Sequence, residues 1–277
     1  MIFPVSVQVI TLNEATNIGA CIEAIWRTNP AEVLVIDGGS TDRTVAIAQS
    51  LGAKVLVPGR LGRGASRTLG YTNTEQPFVA MVDADDRIEE DWIEVSLHEL
   101  QSGNYSAMQS SLRAAEPHNF WSSGWNQYFI ESIQPALDTS MVGHPAIYRT
   151  EDLVNARQDI GHDHEDTQLS VDFQGRGLRQ GIGTAISKRV VPTEWNENQT
   201  KWLAYGSGYY DFVVRHPDRK LAIRKHMFWT IPIVRAWRPV SRGKLMQPVF
   251  GLLMGASIIR GYHRKSRVTG QTVNHDW

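Results

Sequence analysis

Two hydrophobic periods interleave along the first third of the chain. Short β-branched or continuous apolar runs at Val5–Ile10, Val33–Ile36, Lys54–Val57 and Phe78–Val82 predict four strands. Between the first two runs, Ile18, Cys21, Ile22, Ile25 and Trp26 recur at the spacing of one helix face. A turn at Asp37–Asp42 opens a second helical stretch with Val45, Ile47, Ala48 and Leu51 available to pack. Ser40 is predicted as its N-cap, with Asp42 near the positive helix end. Arg67–Asn73 predicts a third helix. Strand and helix in this order predict an α/β domain with a mostly parallel, doubly wound sheet. Beyond it, Trp92–Leu100 reads as helix and Tyr105–Leu112 as a strand that changes direction. Phe120–Ile133 is aromatic and largely uncharged, suited either to core packing or to an acceptor groove.

The polar residues that end these runs carry the chemistry. Phe78–Val82 stops abruptly at Asp83, Asp85 and Asp86. Unpaired buried carboxylates are costly, and parallel sheets bind ligands beyond the carboxyl ends of their strands. Residues i and i+2 of a strand share a face, so Asp83 and Asp85 can meet one ligand together. Two hard oxygen donors suit Mg2+ or Mn2+ bound with a diphosphate. Alone, the same residues make an ordinary turn. Thr11–Glu14 ends the first strand, and Asp37–Asp42, with two glycines, ends the second. Arg60–Gly70 combines glycines with Arg63 and Arg67, which suit phosphate. Farther on, Glu165 and Asp166 precede a helical stretch, where a carboxylate can cap or act as a general base. His162 and His164 are a weak metal signal.

Composition bounds the class. With 42% hydrophobic and 21% charged residues, the 277-residue chain is globular. A single cysteine, Cys21, excludes an intrachain disulfide and a cysteine-built zinc site, and fits a reducing compartment. The start has no basic segment followed by a long apolar one, so no secretory signal is expected. Charge divides the chain sharply: residues 1–218 carry 16 basic and 28 acidic side chains, residues 219–277 carry 12 and 1. The expected organisation is therefore a catalytic domain over 1–217 and a basic helical extension over 218–277.

In that extension, residues 245–259 carry no formal charge. As helix they span about 22 Å, short of the ~30 Å hydrocarbon core, so a transmembrane helix is not expected. Two arrangements fit. Residues 226–267 can lie on an anionic membrane surface, with Arg260, Arg264, Lys265 and Arg267 at the headgroups. They can instead form a helix pair packed on the acidic body. The acidic body argues against nucleic acid. A cytoplasmic protein, peripheral on the inner membrane face, is the expected location.

Taken in order, Thr11–Glu14, Val35–Asp42, Gly64–Arg67, Asp83–Asp85 and Glu165–Asp166 resemble the family-2 glycosyltransferases of the GT-A fold, over roughly residues 4–217. Within that family the chain looks most like bacterial succinoglycan or exopolysaccharide transferases, partly through Tyr205–Tyr210 and Arg215–Pro217. The resemblance implies that Thr11, Asn13, Glu14 and Asp37 contact the nucleoside and Arg67 the diphosphate. It implies Asp83 at ribose or metal, Asp85 as main metal ligand, Asp166 as catalytic base and Glu165 beside it. It further implies an inverting transfer from a nucleoside-diphosphate sugar, UDP favoured over GDP, to a glycan or polyprenyl-linked acceptor. Gly38 stands where many members have a second Asp that can bond uracil, and Asp86 is an additional carboxylate. The Gln-x-x-Arg-Trp signature of processive synthases is missing, which points to single-sugar addition. A sugar-nucleotide nucleotidyltransferase would need a Gly-rich, Lys-containing loop after the first strand, and an oxidoreductase a Gly-x-Gly-x-x-Gly turn. Neither is present; a non-catalytic sugar-nucleotide-binding scaffold is the different-class alternative.

Overall fold

A computed structural model describes residues 1–156, 164–217 and 246–269. They form two compact units: residues 1–115 with 129–190, and residues 116–128 with 191 onward. The first unit is built on one eight-stranded sheet. Its strands are β1 (Phe3–Thr11), β2 (Pro30–Asp37), β3 (Lys54–Leu56), β4 (Phe78–Asp83), β5 (Asp86–Ile88), β6 (Ala107–Ala114), β7 (Ala146–Arg149) and β8 (Gln180–Arg189). The order is β3-β2-β1-β4-β7-β6-β8-β5. The β3-β2-β1-β4 half is wholly parallel, as expected. The other half is mixed: β7 runs antiparallel to both β4 and β6, β6 and β8 are parallel, and β5 is antiparallel to β8.

Helices cover both faces of this sheet. Val5, Val7 and Val9 point to one face and pack with Ile18, Cys21 and Ile22 of α1 (Ile18–Arg27), Ala48 of α2 (Thr44–Ser50) and Trp92 and Leu97 of α4 (Trp92–Ser102). Val79, Met81 and Tyr148 point to the other. They pack with Tyr71 of α3 (Arg63–Thr72), Leu153 of a short α6 (Thr150–Val154) and Leu169 and Phe173 of α7 (Glu165–Gly175). A strand buried on both faces reads as a continuous apolar run, which is why Val33–Ile36 shows no alternation. α2 departs from the expected cap. It begins after Arg43, and the Thr44 N–H donates to Asp42 Oδ1 at 3.0 Å. Ser40 does not cap it because its hydroxyl is committed within the preceding loop.

The second unit is helical. α5 (Phe120–Ser132) contributes its first residues, and α8 (Trp195–Arg215) packs along α9 (Met246–Thr269). Trp125, Trp202 and Phe250 form an aromatic core with ring centroids 5.4–6.1 Å apart. Trp125 Nε1 donates to Asn198 Oδ1 at 2.6 Å. Of the two roles expected for the aromatic stretch, core packing thus holds for Trp125, which is buried. The helices approach closely at Gly206, where an added Cβ would collide with the Ile258 carbonyl oxygen. No helix among the described residues is long and apolar enough to cross a membrane. Most of the 218–277 extension, including Met227–Val234, lies outside the described residues.

Candidate active site

Register brings the sequence-predicted residues to one edge of the sheet. Thr11 stands opposite Asp37 across β1 and β2, and Ile10 stands opposite Asp83 across β1 and β4. The three parallel strands therefore end together. Asp37 is fully buried and organises the edge. Its Oδ1 accepts from the hydroxyls of Thr11 and Ser40, and its Oδ2 from the N–H groups of Gly39 and Ser40. The two loops are then latched together. The Asn13 N–H donates to Ser40 Oγ at 2.8 Å, and Asn13 Oδ1 accepts the Thr41 N–H at 2.8 Å. The Glu14 N–H donates to Thr44 Oγ1 at 2.8 Å. Asn13 holds this position with φ +57°, a conformation Asn tolerates better than most residues. Gly38 donates its N–H to the Thr11 carbonyl, and a Cβ there would sit 3.3 Å from that oxygen. The missing Asp side chain thus coincides with a tight loop crossing.

The carboxylate cluster lies next along the edge. β4 ends at Asp83, and Asp85 sits in the turn before β5, not on the strand as the i, i+2 argument assumed. The turn still converges: Asp83, Asp85 and Asp86 each offer an oxygen within 4.8 Å of one another. Two guanidinium groups hold it. Arg67 of α3 donates from Nη2 to Asp83 Oδ1 at 2.7 Å and from Nε to Glu165 Oε1 at 3.0 Å. Arg189, the last residue of β8, donates from Nη2 to Asp83 Oδ2 at 2.9 Å. It also grips Asp86 with Nε and Nη2, both at 2.7 Å. Asp86 is fully buried and accepts the Asp83 N–H at 3.1 Å, so it ties the turn together. Asp85 keeps a quarter of its side chain exposed, with Oδ1 3.7 Å from Arg189 Nε. Burial opposes charge at Asp83, but Arg189 and Arg67 hold its carboxyl well below the usual range. At Asp86 burial dominates and pushes the carboxyl up, to about 7, against the pull of Arg189.

α7 supplies the second carboxylate pair. Burial pushes the Glu165 carboxyl up while Arg67 pulls it down. Asp166 is half-buried; its Oδ1 accepts the Thr167 N–H at 2.7 Å. Its Oδ2 lies 3.4 Å from where a Cβ on Gly143 would be. Gly143 donates to Gln109 Oε1 at 2.7 Å and precedes the cis peptide between His144 and Pro145. Among the described residues, three polar groups in this region are buried without a partner: Arg67 Nη1, the His144 ring with both its nitrogens, and the Tyr148 hydroxyl. Burial lowers the His144 pKa to about 3, so the ring is neutral.

Thus Arg67 joins the Asp83 cluster to the Glu165–Asp166 pair, and the loops of Thr11, Asn13, Glu14 and Asp37 flank it. His162 lies outside the described residues. Arg189, His144 and Tyr148 escaped sequence reasoning. Arg189 closes an alternating strand 103 residues from Asp86, and only the β5–β8 register places the two opposite. The charged end of that strand was the available signal.

Known proteins give this geometry a family. The family described as "Glycosyl transferase family 2" matches residues 6–155. An uncharacterized glycosyltransferase of Rickettsia bellii is 35% identical over 111 residues, 39% of this chain and 37% of that protein. The lipopolysaccharide core biosynthesis glycosyltransferase LpsC of Rhizobium meliloti is 32% identical over 91 residues, 31% of this chain and 33% of it. The chain therefore spans well under half the length of these relatives. Among solved structures, glucosyl-3-phosphoglycerate synthase from Mycobacterium tuberculosis, in complex with Mn2+, UDP and glucosyl-3-phosphoglycerate, superposes with a TM-score of 0.57. It is 19% identical, over 76% of this chain and 79% of that one. S. aureus TarS 1–349 superposes with a TM-score of 0.53 and 17% identity, over 96% and 92%. Matched by the family over more than half its length, and sharing the GT-A fold of these structures, the chain belongs to glycosyl transferase family 2.

Proposed function

We propose that this chain transfers one sugar, with inversion, from a UDP-linked donor to a hydroxyl of a glycan or polyprenyl-linked acceptor in envelope or polysaccharide synthesis. The observation that carries this is the bridge made by Arg67 between Asp83 and Glu165, the neighbour of Asp166, which supports reading these residues as one diphosphate and base site. The LpsC relative, a glycosyltransferase of lipopolysaccharide core biosynthesis, supports the class of acceptor. The donor reading is supported by the mycobacterial synthase, which was crystallised with Mn2+ and UDP-glucose.

The residues present fit a hard divalent cation, since three carboxylates converge and the Asp85 side chain is a quarter exposed. Asp85, with Asp83, would hold Mg2+ or Mn2+, which supplies Lewis-acid neutralisation of the departing diphosphate. The chain's own residues do the rest. Arg67 fixes Asp83 and Glu165 beside the diphosphate. The loop latched through Asn13 and Asp37 positions the nucleoside. Asp166 takes the proton of the acceptor hydroxyl as that oxygen bonds to the anomeric carbon, and the bond to the diphosphate breaks. One displacement inverts the centre, with no covalent enzyme intermediate. A panel of nucleotide sugars, scored by nucleoside diphosphate release and by the anomer formed, tests this; retention of configuration would refute it.

Membrane contact belongs to the same proposal. On α9, the exposed residues Val249, Leu252, Ala256, Arg260, Arg264 and Arg267 follow one another at helical spacing, apolar first and basic last. Such a face suits an anionic bilayer surface. Flotation with anionic liposomes should be lost in the Arg260→Glu, Arg264→Glu, Arg267→Glu triple variant; equal flotation would contradict it.

A further inference from the structure

Arg189 stands where a metal-binding cluster would be expected to hold only carboxylates. Its backbone is fixed on both sides, by β5, where Asp86 is its direct register partner, and by β6 at Ala114. Its guanidinium is largely buried, takes both oxygens of Asp86 and one of Asp83, and donates to the His144 carbonyl at 3.0 Å. Arg67 takes the other oxygen of Asp83. Both oxygens of Asp83 and both of Asp86 are thus engaged by fixed positive charge. Only a planar fork can bridge two carboxylates in this way, so lysine would not serve equally.

We propose that Arg189 is a resident cation of the cluster. It holds Asp83 and Asp86 against a divalent ion until a nucleoside diphosphate brings compensating negative charge. This rests on the metal–diphosphate reading of the same site. An ion entering at Asp85 meets the guanidinium of Arg189, and to recruit Asp83 Oδ2 it must share or displace the Arg189 hydrogen bond there against like-charge repulsion. The diphosphate offsets that repulsion. Metal and nucleotide therefore favour each other's binding by one common factor. Asp86 is then an anchor for Arg189 and not a ligand. Arg189 is a positioning residue that makes the metal site conditional on the donor.

The test is Mn2+ binding to the full chain, read from the electron paramagnetic resonance signal of the free ion, with and without UDP. In the parent protein, UDP should tighten Mn2+ binding by about tenfold or more. Arg189→Met should tighten nucleotide-free binding by about the same factor and shrink the added effect of UDP. Mn2+ should also raise the melting temperature of Arg189→Met more than that of the parent. Because that variant leaves Asp86 buried and unpaired, a second variant, Asp86→Asn with Arg189→Met, removes both charges and frees only Asp83. It should show a smaller tightening of the same sign. Unchanged or weaker nucleotide-free binding in the variants that fold would overturn the proposal. Parent protein that ignores Mn2+ even with UDP, beside an Arg189→Met variant that binds it, would make Arg189 a barrier to the ion but overturn the proposed coupling to the donor. No Mn2+ binding in any form would remove both.

Discussion

Two stretches of the same sheet edge are held by different forces. The loops after β1 and β2 are latched by short bonds centred on Asn13, Asp37 and Ser40, nearly all of them directed at backbone N–H groups or hydroxyls. The turn after β4 and the start of α7 are held by two guanidinium groups shared among Asp83, Asp86 and Glu165. The first arrangement has one satisfied geometry and makes a fixed frame. The second is a set of exchangeable charge contacts, in which an arriving phosphate or cation can replace a partner. Nucleoside recognition suits the frame, and departure of a charged group suits the exchangeable set.

The sharpest way to break that contrast is at Arg67. Arg67→Met leaves Glu165 without its guanidinium partner and Asp83 with Arg189 alone. A loss of about 3–5 kcal/mol in urea unfolding is expected, together with loss of UDP binding. Stability close to that of the parent would mean the charged set does not hold this part of the edge. The frame is probed at Asp37. Asp37→Asn keeps the shape but turns an amide against the N–H groups of Gly39 and Ser40. It should cost about 1–3 kcal/mol, with affinity for UDP in the folded fraction reduced less than in Arg67→Met. The reverse order of UDP affinities would reverse the assignment of the two regions. The smallest effect expected is at His144. Its folded pKa lies near 3, below the ordinary 6.5. The unfolded chain thus binds the extra proton between these values, and stability contributed by the neutral ring falls as pH drops from about 6.5 toward 3. His144→Gln should flatten that part of the pH–stability curve, as measured by thermal melting across the window. An unchanged slope would show that His144 does not titrate this way.

Much of the sheet edge was legible because it is local. Thr11–Glu14, Asp37–Asp42 and Asp83–Asp86 each lie at the end of an apolar run, and parallel strands bring such ends together. Local rules also erred locally. Ser40 looked like a helix cap, but the buried Asp37 carboxylate captured its hydroxyl. Asp83 and Asp85 were expected to share a strand face, yet a tight turn joins them. The charged set was half legible. Arg67, Asp83 and Glu165 stood in recognisable motifs, whereas Arg189 depends on a pairing between β5 and β8 that no local pattern encodes. His144 and Tyr148 reach the region through β7, whose antiparallel insertion beside β4 is likewise a property of the whole sheet.

The division of labour between the carboxylates can be read from one paired titration. Calorimetric binding of UDP with Mn2+ is measured beside sugar transfer for Asp166→Asn and Asp85→Ala. Asp166→Asn should lose about 10²–10⁴-fold in transfer rate while binding UDP and Mn2+ as the parent does. Asp85→Ala should lose the metal-dependent part of UDP binding and transfer with it. Equal loss of donor affinity in both variants would contradict a proton acceptor at Asp166 separate from a leaving-group site at Asp85.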